Sequence, residues 1–256
     1  MSMLFGLRNR IYAMVSRILR DRGIECIPSW RVRQLGLALH LRDIFARHKV
    51  DLVLDVGANE GQYGEFLRTM VGFRGWIVSV EPATAAANAL AERAKRDVRW
   101  RFEVIALGSA EGEGQLNVMR DSQFSSFLAP DNSLVGAYAA QNQVERVERV
   151  PIRTLDGEYD RLVRDTGCSR PYLKIDTQGF DLDVIRGAGE TLHRFVAMQT
   201  EASVRPLYKE MPSWLSVLSE LEGRGLSLSG MFPISTDGAC RLLEFDCVLV
   251  NSSWIE

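Results

Sequence analysis

The stretch that decides the fold is Asp55-Val56-Gly57-Ala58-Asn59-Glu60-Gly61. It follows the apolar run 52–56, which predicts a buried β-strand, and it runs into residues 61–70, which predict a helix. Glycine has no Cβ, so a loop with this G-x-x-x-G spacing lets a ligand approach its backbone closely. The stretch therefore predicts a strand, a ligand-binding loop and a helix in succession.

From residue 51 onward, short apolar runs alternate with helical stretches, which is the pattern of βαβ units around a parallel sheet. The predicted strands are residues 52–56, 76–80, 98–107, 172–175 and 196–200. The predicted helices are residues 61–70, 83–95, 182–195 and 213–224. The fold class predicted from this alternation is α/β.

Two segments break the alternation. Residues 108–150 combine turn residues, polar runs and short alternating pieces, which predicts a hairpin with a long irregular insertion. Loops of that length usually carry function. Residues 226–232 and 242–250 are β-rich and flank Ser235-Thr236-Asp237-Gly238, which predicts an antiparallel pair that closes the sheet edge.

The charge of the chain is small overall but unevenly distributed. The 256 residues carry a net charge of -2, with an isoelectric point near 6.0. Nucleic acid is therefore not the expected partner, because the chain has no overall basic field. Residues 1–49, by contrast, hold ten Lys/Arg and three Asp/Glu and carry +7.

Residues 4–20 place apolar side chains at helical spacing with four arginines among them, which predicts a basic amphipathic helix. Such a helix binds an anionic membrane surface or a partner groove, or it packs on its own domain or on a second subunit. We favour packing, because most amphipathic helices are half buried. With a second helix predicted over residues 35–48, we expect a helical extension over residues 1–50 and a ligand-binding domain over residues 51–256.

The cysteines and the hydropathy pattern favour the cytoplasm. Cys26, Cys168, Cys240 and Cys247 form no C-x-x-C pair, which argues against a zinc site or a disulfide framework. No uninterrupted apolar run reaches about 18 residues, so neither a membrane span nor a secretory signal is expected. The expected location is cytoplasmic, at the inner face of the membrane if residues 4–20 bind lipid.

Glu81, at the end of the second predicted strand, indicates the kind of ligand. The loop after the first strand lacks the G-x-G-x-x-G spacing of dinucleotide sites. A carboxylate at Glu81 can accept hydrogen bonds from both ribose hydroxyls of a nucleoside, and it disfavours a 2′-phosphate. The alternative is a solvated strand-end residue, and the glycine loop upstream favours the ribose contact.

The segment Lys174-Ile175-Asp176-Thr177-Gln178-Gly179-Phe180-Asp181 ends the fourth predicted strand. Alternate residues of a strand share a face, so Lys174 and Asp176 point the same way. Ligands of open α/β sheets lie beyond the carboxyl ends of the strands, which predicts Asp176 at the reaction centre. Glu201 ends the fifth predicted strand and lies beside Asp176 if those strands are neighbours. The alternative for Lys174 is a buried salt bridge with one of these acids.

Seven motifs stand in order along the chain: the loop 55–61, Glu81-Pro82, Ala106-Leu107-Gly108, Ser125-Ser126, Thr154-Leu155-Asp156, Lys174-Ile175-Asp176-x-Gln178-Gly179 and Glu201. Together they resemble the FkbM family of S-adenosylmethionine-dependent methyltransferases, over roughly residues 51–250. The resemblance implies a class I Rossmann-like sheet of seven mostly parallel strands with an antiparallel last strand. It also implies O-methylation of a hydroxyl on a sugar, a glycolipid or a polyketide. Asp181 departs from the family, which more often has Glu there, so a role that depends on the reach of that side chain is in doubt.

The resemblance and the strand ends together give the predicted site. The cofactor-binding residues for S-adenosylmethionine are Asp55, Gly57, Ala58, Asn59, Gly61, Tyr63, Glu81, Pro82, Ala106 and Leu107. The catalytic residues are Asp176, Glu201 and Lys174. An alcohol is a poor nucleophile until its proton is leaving, so a base is needed, with Asp176 the first candidate, Glu201 the second and His193 the third. Asp176 and Glu201 could instead hold a divalent cation, although no metal is expected.

Residues 122–138 mix aromatic, hydroxyl and amide side chains, which suits a sugar ring or a cover for the cofactor. Ser125, Ser126 and Gln178 are the predicted substrate contacts. Two other functions stay open, namely an NAD-linked oxidoreductase or epimerase and a cofactor-binding scaffold without catalysis. The missing dinucleotide spacing and the lack of a placed Tyr-x-x-x-Lys pair disfavour the oxidoreductase.

Overall fold

The computed structural model describes Leu19 and residues 32–133 and 138–254. Apart from Leu19, the basic helix predicted over residues 4–20 lies outside the described residues, so it stays a prediction. Within the described ranges, no helix is both long enough and apolar enough to cross a membrane.

Seven strands form the main sheet: β1 (Leu52–Val56), β2 (Trp76–Val80), β3 (Trp100–Glu103), β7 (Pro171–Ile175), β8 (Ala197–Ser203), β9 (Leu226–Thr236) and β10 (Leu242–Asn251). Their order is β3-β2-β1-β7-β8-β10-β9. The five strands from β3 to β8 are parallel, whereas β10 runs antiparallel to both β8 and β9. The predicted seven-stranded α/β sheet with a reversed last strand is confirmed.

Helices cover both faces of this sheet. One face carries α1 (Val32–His48), α2 (Gln62–Phe66) and α3 (Thr84–Ala94), and the other carries α4 (Leu155–Val163), α5 (Asp181–Arg186) and α6 (Trp214–Gly223). Because β1 and β7 are covered on both sides, all five residues of each strand are buried and their sequences show no polar alternation. The prediction identified α1, α3 and α6 to within three residues and missed α4.

A second, three-stranded sheet adjoins the carboxyl ends of the main sheet. It consists of β4 (Ala106–Leu107), β5 (Gly112–Met119) and β6 (Val144–Arg153), in the order β4-β6-β5. The predicted strand 98–107 is therefore two strands. The first part, β3, pairs with β2 and ends at Glu103, which lies opposite Val80, the last residue of β2. The second part, β4, pairs with β6 instead. The predicted hairpin with a long insertion is confirmed as β5 and β6, and the described part of the insertion is residues 120–133 and 138–143.

Two predicted helices are shorter than their sequence patterns suggest. Residues 61–70 form α2 followed by a π-helical turn, Leu67–Val71. Residues 182–195 form only α5 and, after a turn, the short 3-10 helix Leu192–Arg194. Gly187 explains this early end, because a Cβ on it would lie 1.9 Å from the Gly108 carbonyl oxygen, so the chain packs there against the second sheet.

A candidate active site at the carboxyl ends of the strands

A cleft of about 550 Å³ opens where the parallel strands end. Its floor comes from the loops after β1, β2 and β7, and its walls come from the insertion and from β9 and β10. Its lining includes Gly57, Ala58, Asn59, Tyr63, Glu81, Pro82, Ala106, Leu107, Phe124, Ser125, Phe127, Tyr138, Lys174, Asp176, Gln178, Gln199, Glu201, Phe232, Ser235, Glu244 and Asp246. The volume falls in the range of small-molecule sites.

The glycines of the loop after β1 make room for the protein itself. Gly57 has φ +77°, and a Cβ there would lie 1.8 Å from the carbonyl oxygen of Asp176. Gly61 has φ +91°, and a Cβ there would meet Leu90 and Trp100. We expected these glycines to admit a ligand, but the first allows contact between the two loops that carry the site and the second allows helix packing. Gly61 and Asp55 lie beneath the cleft rather than in its lining.

Asn59 and Glu81 offer polar groups to a ligand in this part of the cleft. Both side-chain amide atoms of Asn59 are buried without a protein partner. The Glu81 carboxylate accepts the backbone N–H groups of Asn59 at 2.7 Å and Ala83 at 2.8 Å. Burial raises the pKa of Glu81 to about 7. Each carboxylate oxygen keeps a lone pair, so the donor and acceptor set fits the hydroxyls and ring nitrogens of a nucleoside.

Lys174 is the buried cation at the centre of the site. Its Nζ lies 3.1 Å from Asp176 Oδ2 and 3.5 Å from Asp55 Oδ1, and it stands over the Tyr63 ring. Burial opposes the charge on Lys174, but Asp176 and Asp55 raise its pKa above the ordinary value. Burial raises the pKa of Asp55. The buried salt bridge, which was the alternative interpretation of Lys174, is therefore present.

Asp176 and Glu201 form a coupled pair with opposite pKa shifts. The Gln178 amide bridges them, since its Nε2 donates to Asp176 Oδ1 at 3.0 Å and to Glu201 Oε2 at 3.2 Å. Burial disfavours the charge on Asp176, but Lys174 and the hydrogen bonds from Glu201 and Gln178 lower its pKa. Burial and the charge of Asp176 raise the pKa of Glu201 well above its usual range. These opposite shifts favour the charge on Asp176 and the proton on Glu201.

Two acids of β10 complete the cleft and were not predicted. The Asp246 carboxylate accepts Gln199 Nε2 at 2.8 Å, and Glu244 accepts Ser235 Oγ at 2.9 Å. Burial raises the pKa of both groups, that of Asp246 to about 7. The signal was present in the sequence, because Glu244 and Asp246 alternate with apolar residues and so share one face of a strand.

The insertion brings some of its predicted contact residues to the cleft. Ser125 lines it beside the aromatic pair Phe124 and Tyr138, whose ring centroids are 5.2 Å apart. Ser126 does not line the cleft; it is 1% exposed, and its Oγ donates to the Gln178 carbonyl oxygen at 2.7 Å and accepts the Leu128 N–H. The hydroxyl of Ser126 is thus engaged within the protein.

The remaining predicted residues occupy other positions. His193 lies in the 3-10 helix 192–194, outside the cleft, and its carbonyl oxygen accepts from Asn251 and Trp254. Asp181 is buried and accepts the Thr177 N–H at 3.1 Å. Among the described residues, no group of three His, Cys, Asp or Glu side chains is arranged to hold a metal ion.

The strand order, the glycine loop and the acid that ends β2 define the class: this is the class I fold of S-adenosylmethionine-dependent methyltransferases. The family profile described as "Methyltransferase FkbM domain" matches residues 55–228. The chain belongs to the FkbM methyltransferase family and has the S-adenosylmethionine-binding methyltransferase fold.

Two solved structures illustrate the likeness. The FkbM methyltransferase of Methylobacillus flagellatus KT superposes with a TM-score of 0.51 at 12% identity, and the match covers 78% of this chain and 43% of that one. The chain thus spans less than half of that protein. Aeropyrum pernix fibrillarin, solved with natively bound S-adenosyl-L-methionine, gives a TM-score of 0.44 at 14% identity and covers 78% and 66%. A search of curated proteins finds no match.

Proposed function

We propose that the protein is an O-methyltransferase that methylates a hydroxyl of a sugar, a glycolipid or a related secondary metabolite. The observation that carries this proposal is the Asp176–Glu201 pair, which Gln178 bridges and which lies in the cleft next to the glycine loop. A hydroxyl acceptor must lose a proton as it is methylated, and an ionised carboxylate within hydrogen-bond reach can take it.

S-adenosylmethionine supplies an electrophilic methyl group on a sulfonium. In our proposal Glu81 would accept the ribose hydroxyls, Asn59 would offer its unpartnered amide, and Ala106 and Leu107 would line the nucleoside part of the site. Gly57, Ala58, Tyr63 and Pro82 complete the wall. Asp55 and Gly61 would not contact the cofactor. Asp55 pairs with Lys174, and Gly61 lets the start of α2 pack closely against Leu90 and Trp100.

The chain's own residues then handle the proton. Asp176 accepts the proton of the acceptor hydroxyl, and Lys174 keeps Asp176 ionised until that moment. Gln178 holds Asp176 against Glu201, which carries the proton that the pair shares. Holding these groups in fixed positions aligns the acceptor for an in-line displacement. Under this proposal Lys174 acts through Asp176 rather than on the acceptor.

The walls of the cleft favour a polyhydroxylated acceptor. Glu244, Asp246 and Glu201 offer carboxyl groups that accept hydroxyl hydrogen bonds, and Phe124 and Tyr138 offer aromatic faces. Nucleic acid is disfavoured as the acceptor, because the chain has a net charge of -2 and no overall basic field. No divalent cation is required in this scheme.

A lipid-linked sugar would agree with the basic residues that precede α1. We propose that residues 4–20 pack on their own domain or on a second subunit, or else bring the enzyme to the inner face of the cytoplasmic membrane. The site itself is lined by side chains from residues 51–256 and by Arg33, Gln34 and Leu37 of α1. An anionic surface attracts a basic amphipathic helix, and glycolipid acceptors are found at such a surface.

Isothermal titration separates this function from the main alternative. We expect S-adenosylhomocysteine to bind and NAD not to bind, because the loop after β1 lacks the dinucleotide spacing. Incubation with methyl-labelled S-adenosylmethionine and fractionated glycolipid extracts, followed by mass spectrometry, then identifies the acceptor. Tight binding of NAD without binding of S-adenosylhomocysteine would contradict the proposal. A methyl label on nitrogen or carbon instead of oxygen would show that the enzyme is not an O-methyltransferase.

Glu81→Gln is expected to weaken binding of S-adenosylhomocysteine by about 10- to 100-fold, the value of a charged hydrogen bond. Glutamine keeps the size but has only one acceptor oxygen, whereas Glu81 uses both oxygens on backbone N–H groups. The matched control is Glu113→Gln, which also removes one negative charge but lies in a surface ion pair with Arg149. Equal affinities of wild type and Glu81→Gln would place the ribose elsewhere.

A further inference from the structure

Tyr208 links the insertion to the acid pair through one buried hydroxyl. It lies in the loop between β8 and α6 and is 1% exposed. Its Oη is 2.8 Å from the Phe124 carbonyl oxygen and 2.8 Å from Gln178 Oε1. Tyr208 belongs to none of the seven sequence motifs and takes no part in the proposed proton transfer.

Gln178, the partner of Tyr208, is held at every polar atom of its side chain. Its Nε2 donates to both Asp176 and Glu201, and its Oε1 accepts from Tyr208. Its backbone has φ +53°, a region that non-glycine residues rarely adopt, and the Ser126 hydroxyl binds its carbonyl oxygen. A strained backbone with this many partners is over-determined by its surroundings.

The oxygen and the NH₂ group of the Gln178 amide are similar in size, so hydrogen bonding decides which way the amide is oriented. If Gln178 were turned over, its oxygen would face the ionised carboxylate of Asp176, and its N–H groups would face Tyr208. An ionised carboxylate can only accept, so Asp176 opposes this turn, and a Tyr208 hydroxyl that donates to Gln178 Oε1 further stabilises the orientation in which both N–H groups face the acids.

We propose that Tyr208 is a positioning residue that orients the Gln178 amide so that both of its N–H groups point at Asp176 and Glu201. The inference rests on the proposed function for its catalytic meaning, but the hydrogen-bond geometry itself does not depend on the acceptor.

The same hydroxyl connects the insertion to the acids. A phenol has one proton, so Tyr208 donates either to the Phe124 carbonyl oxygen or to Gln178 at any moment. The loop of Tyr208 is fastened to the insertion by backbone bonds from Lys209 to Ala129 and from Asp131 to Leu207. Tyr208 is therefore held in place relative to both the insertion and Gln178.

The test reads the Gln178 side chain directly by NMR in protein labelled with ¹⁵N at glutamine side chains, with S-adenosylhomocysteine present. Gln178→Ala assigns the signal by its loss. In Tyr208→Phe we expect the Gln178 NH₂ protons to exchange with solvent about tenfold faster, the equivalent of one lost neutral hydrogen bond. The matched control is Tyr159→Phe, which removes a hydroxyl from a tyrosine of α4 that packs on Phe195.

Unchanged Gln178 signals in Tyr208→Phe, or the same change in Tyr159→Phe, would overturn the inference. If Tyr208→Phe does not fold, the measurement is made on the wild type. The NH₂ protons of Gln178 must then exchange with solvent at least about tenfold more slowly than those of the exposed Gln115. Equal exchange rates overturn the proposal. In turnover with the identified acceptor, Tyr208→Phe should lower kcat about tenfold without raising KM. If the NMR result holds and no methyl transfer is found, the proposed function fails and the positioning role stands.

Discussion

Asp176→Asn is expected to lower kcat by about 100- to 10,000-fold, the range that a general base contributes. Asparagine has the same shape but cannot take the proton of the acceptor. Lys174 keeps Asp55 as a partner, so the fold should survive and the affinity for S-adenosylhomocysteine should stay within a few fold. Single-turnover kinetics with labelled S-adenosylmethionine measure the chemical step.

Glu201→Gln and Asp160→Asn complete this experiment. Burial and the charge of Asp176 raise the pKa of Glu201 and favour its protonated form, so its amide variant should lose much less activity than Asp176→Asn. Asp160 is a surface acid of α4 paired with Arg194, and its variant should be as active as wild type. A larger loss from Glu201→Gln than from Asp176→Asn would exchange the roles of the two acids. Because Lys174 lowers the pKa of Asp176, activity should not require deprotonation of this base at any pH above about 5.

Gly57→Ala is expected to destabilise the protein by more than about 4 kcal/mol, or to prevent folding. The new methyl group would stand 1.8 Å from the Asp176 carbonyl oxygen, and backbone on both sides leaves no flexible side chain to move away. Urea unfolding followed by circular dichroism gives the change in the free energy of unfolding.

Two other glycines separate the causes of this effect. Gly167→Ala meets open space but has φ +66°, so it should cost only the backbone strain of about 1–2 kcal/mol. Gly238→Ala also meets open space and has no left-handed backbone, so it should change stability by less than about 0.5 kcal/mol. If Gly57→Ala is no less stable than Gly167→Ala, the close contact with the Asp176 carbonyl oxygen is relieved at little cost in the free energy of unfolding.

Much of the fold could be predicted because strands that are buried on both faces of a sheet appear in the sequence as short, nearly continuous apolar runs. The apolar run 52–56 followed by Gly57 and Gly61 predicts one arrangement, and β1 has these bounds. The split of residues 98–107 could not be predicted, because only the distant strand β6 decides where β4 pairs. The early end of α5 likewise depends on Gly108, far away in sequence.

The candidate site was predicted in part. Asp176, Glu201 and Lys174 follow from strand ends, and the structure brings them together. Glu244 and Asp246 were missed because residues 242–250 were assigned only as one strand of the antiparallel pair at the sheet edge, and the side of that strand that faces the site was not considered. Tyr208 has no sequence signal, since its role comes from two hydrogen bonds to residues 30 and 84 positions away.

β10 follows every other strand along the chain, yet it occupies an interior position in the sheet. During synthesis the ribosome releases β9 first, so β9 must wait for its only neighbour in the main sheet to emerge. Glu244 and Asp246 arrive on that same strand. The main sheet and the cleft are therefore both complete only when β10 is in place, and a nascent chain interrupted within β10 would lack part of each.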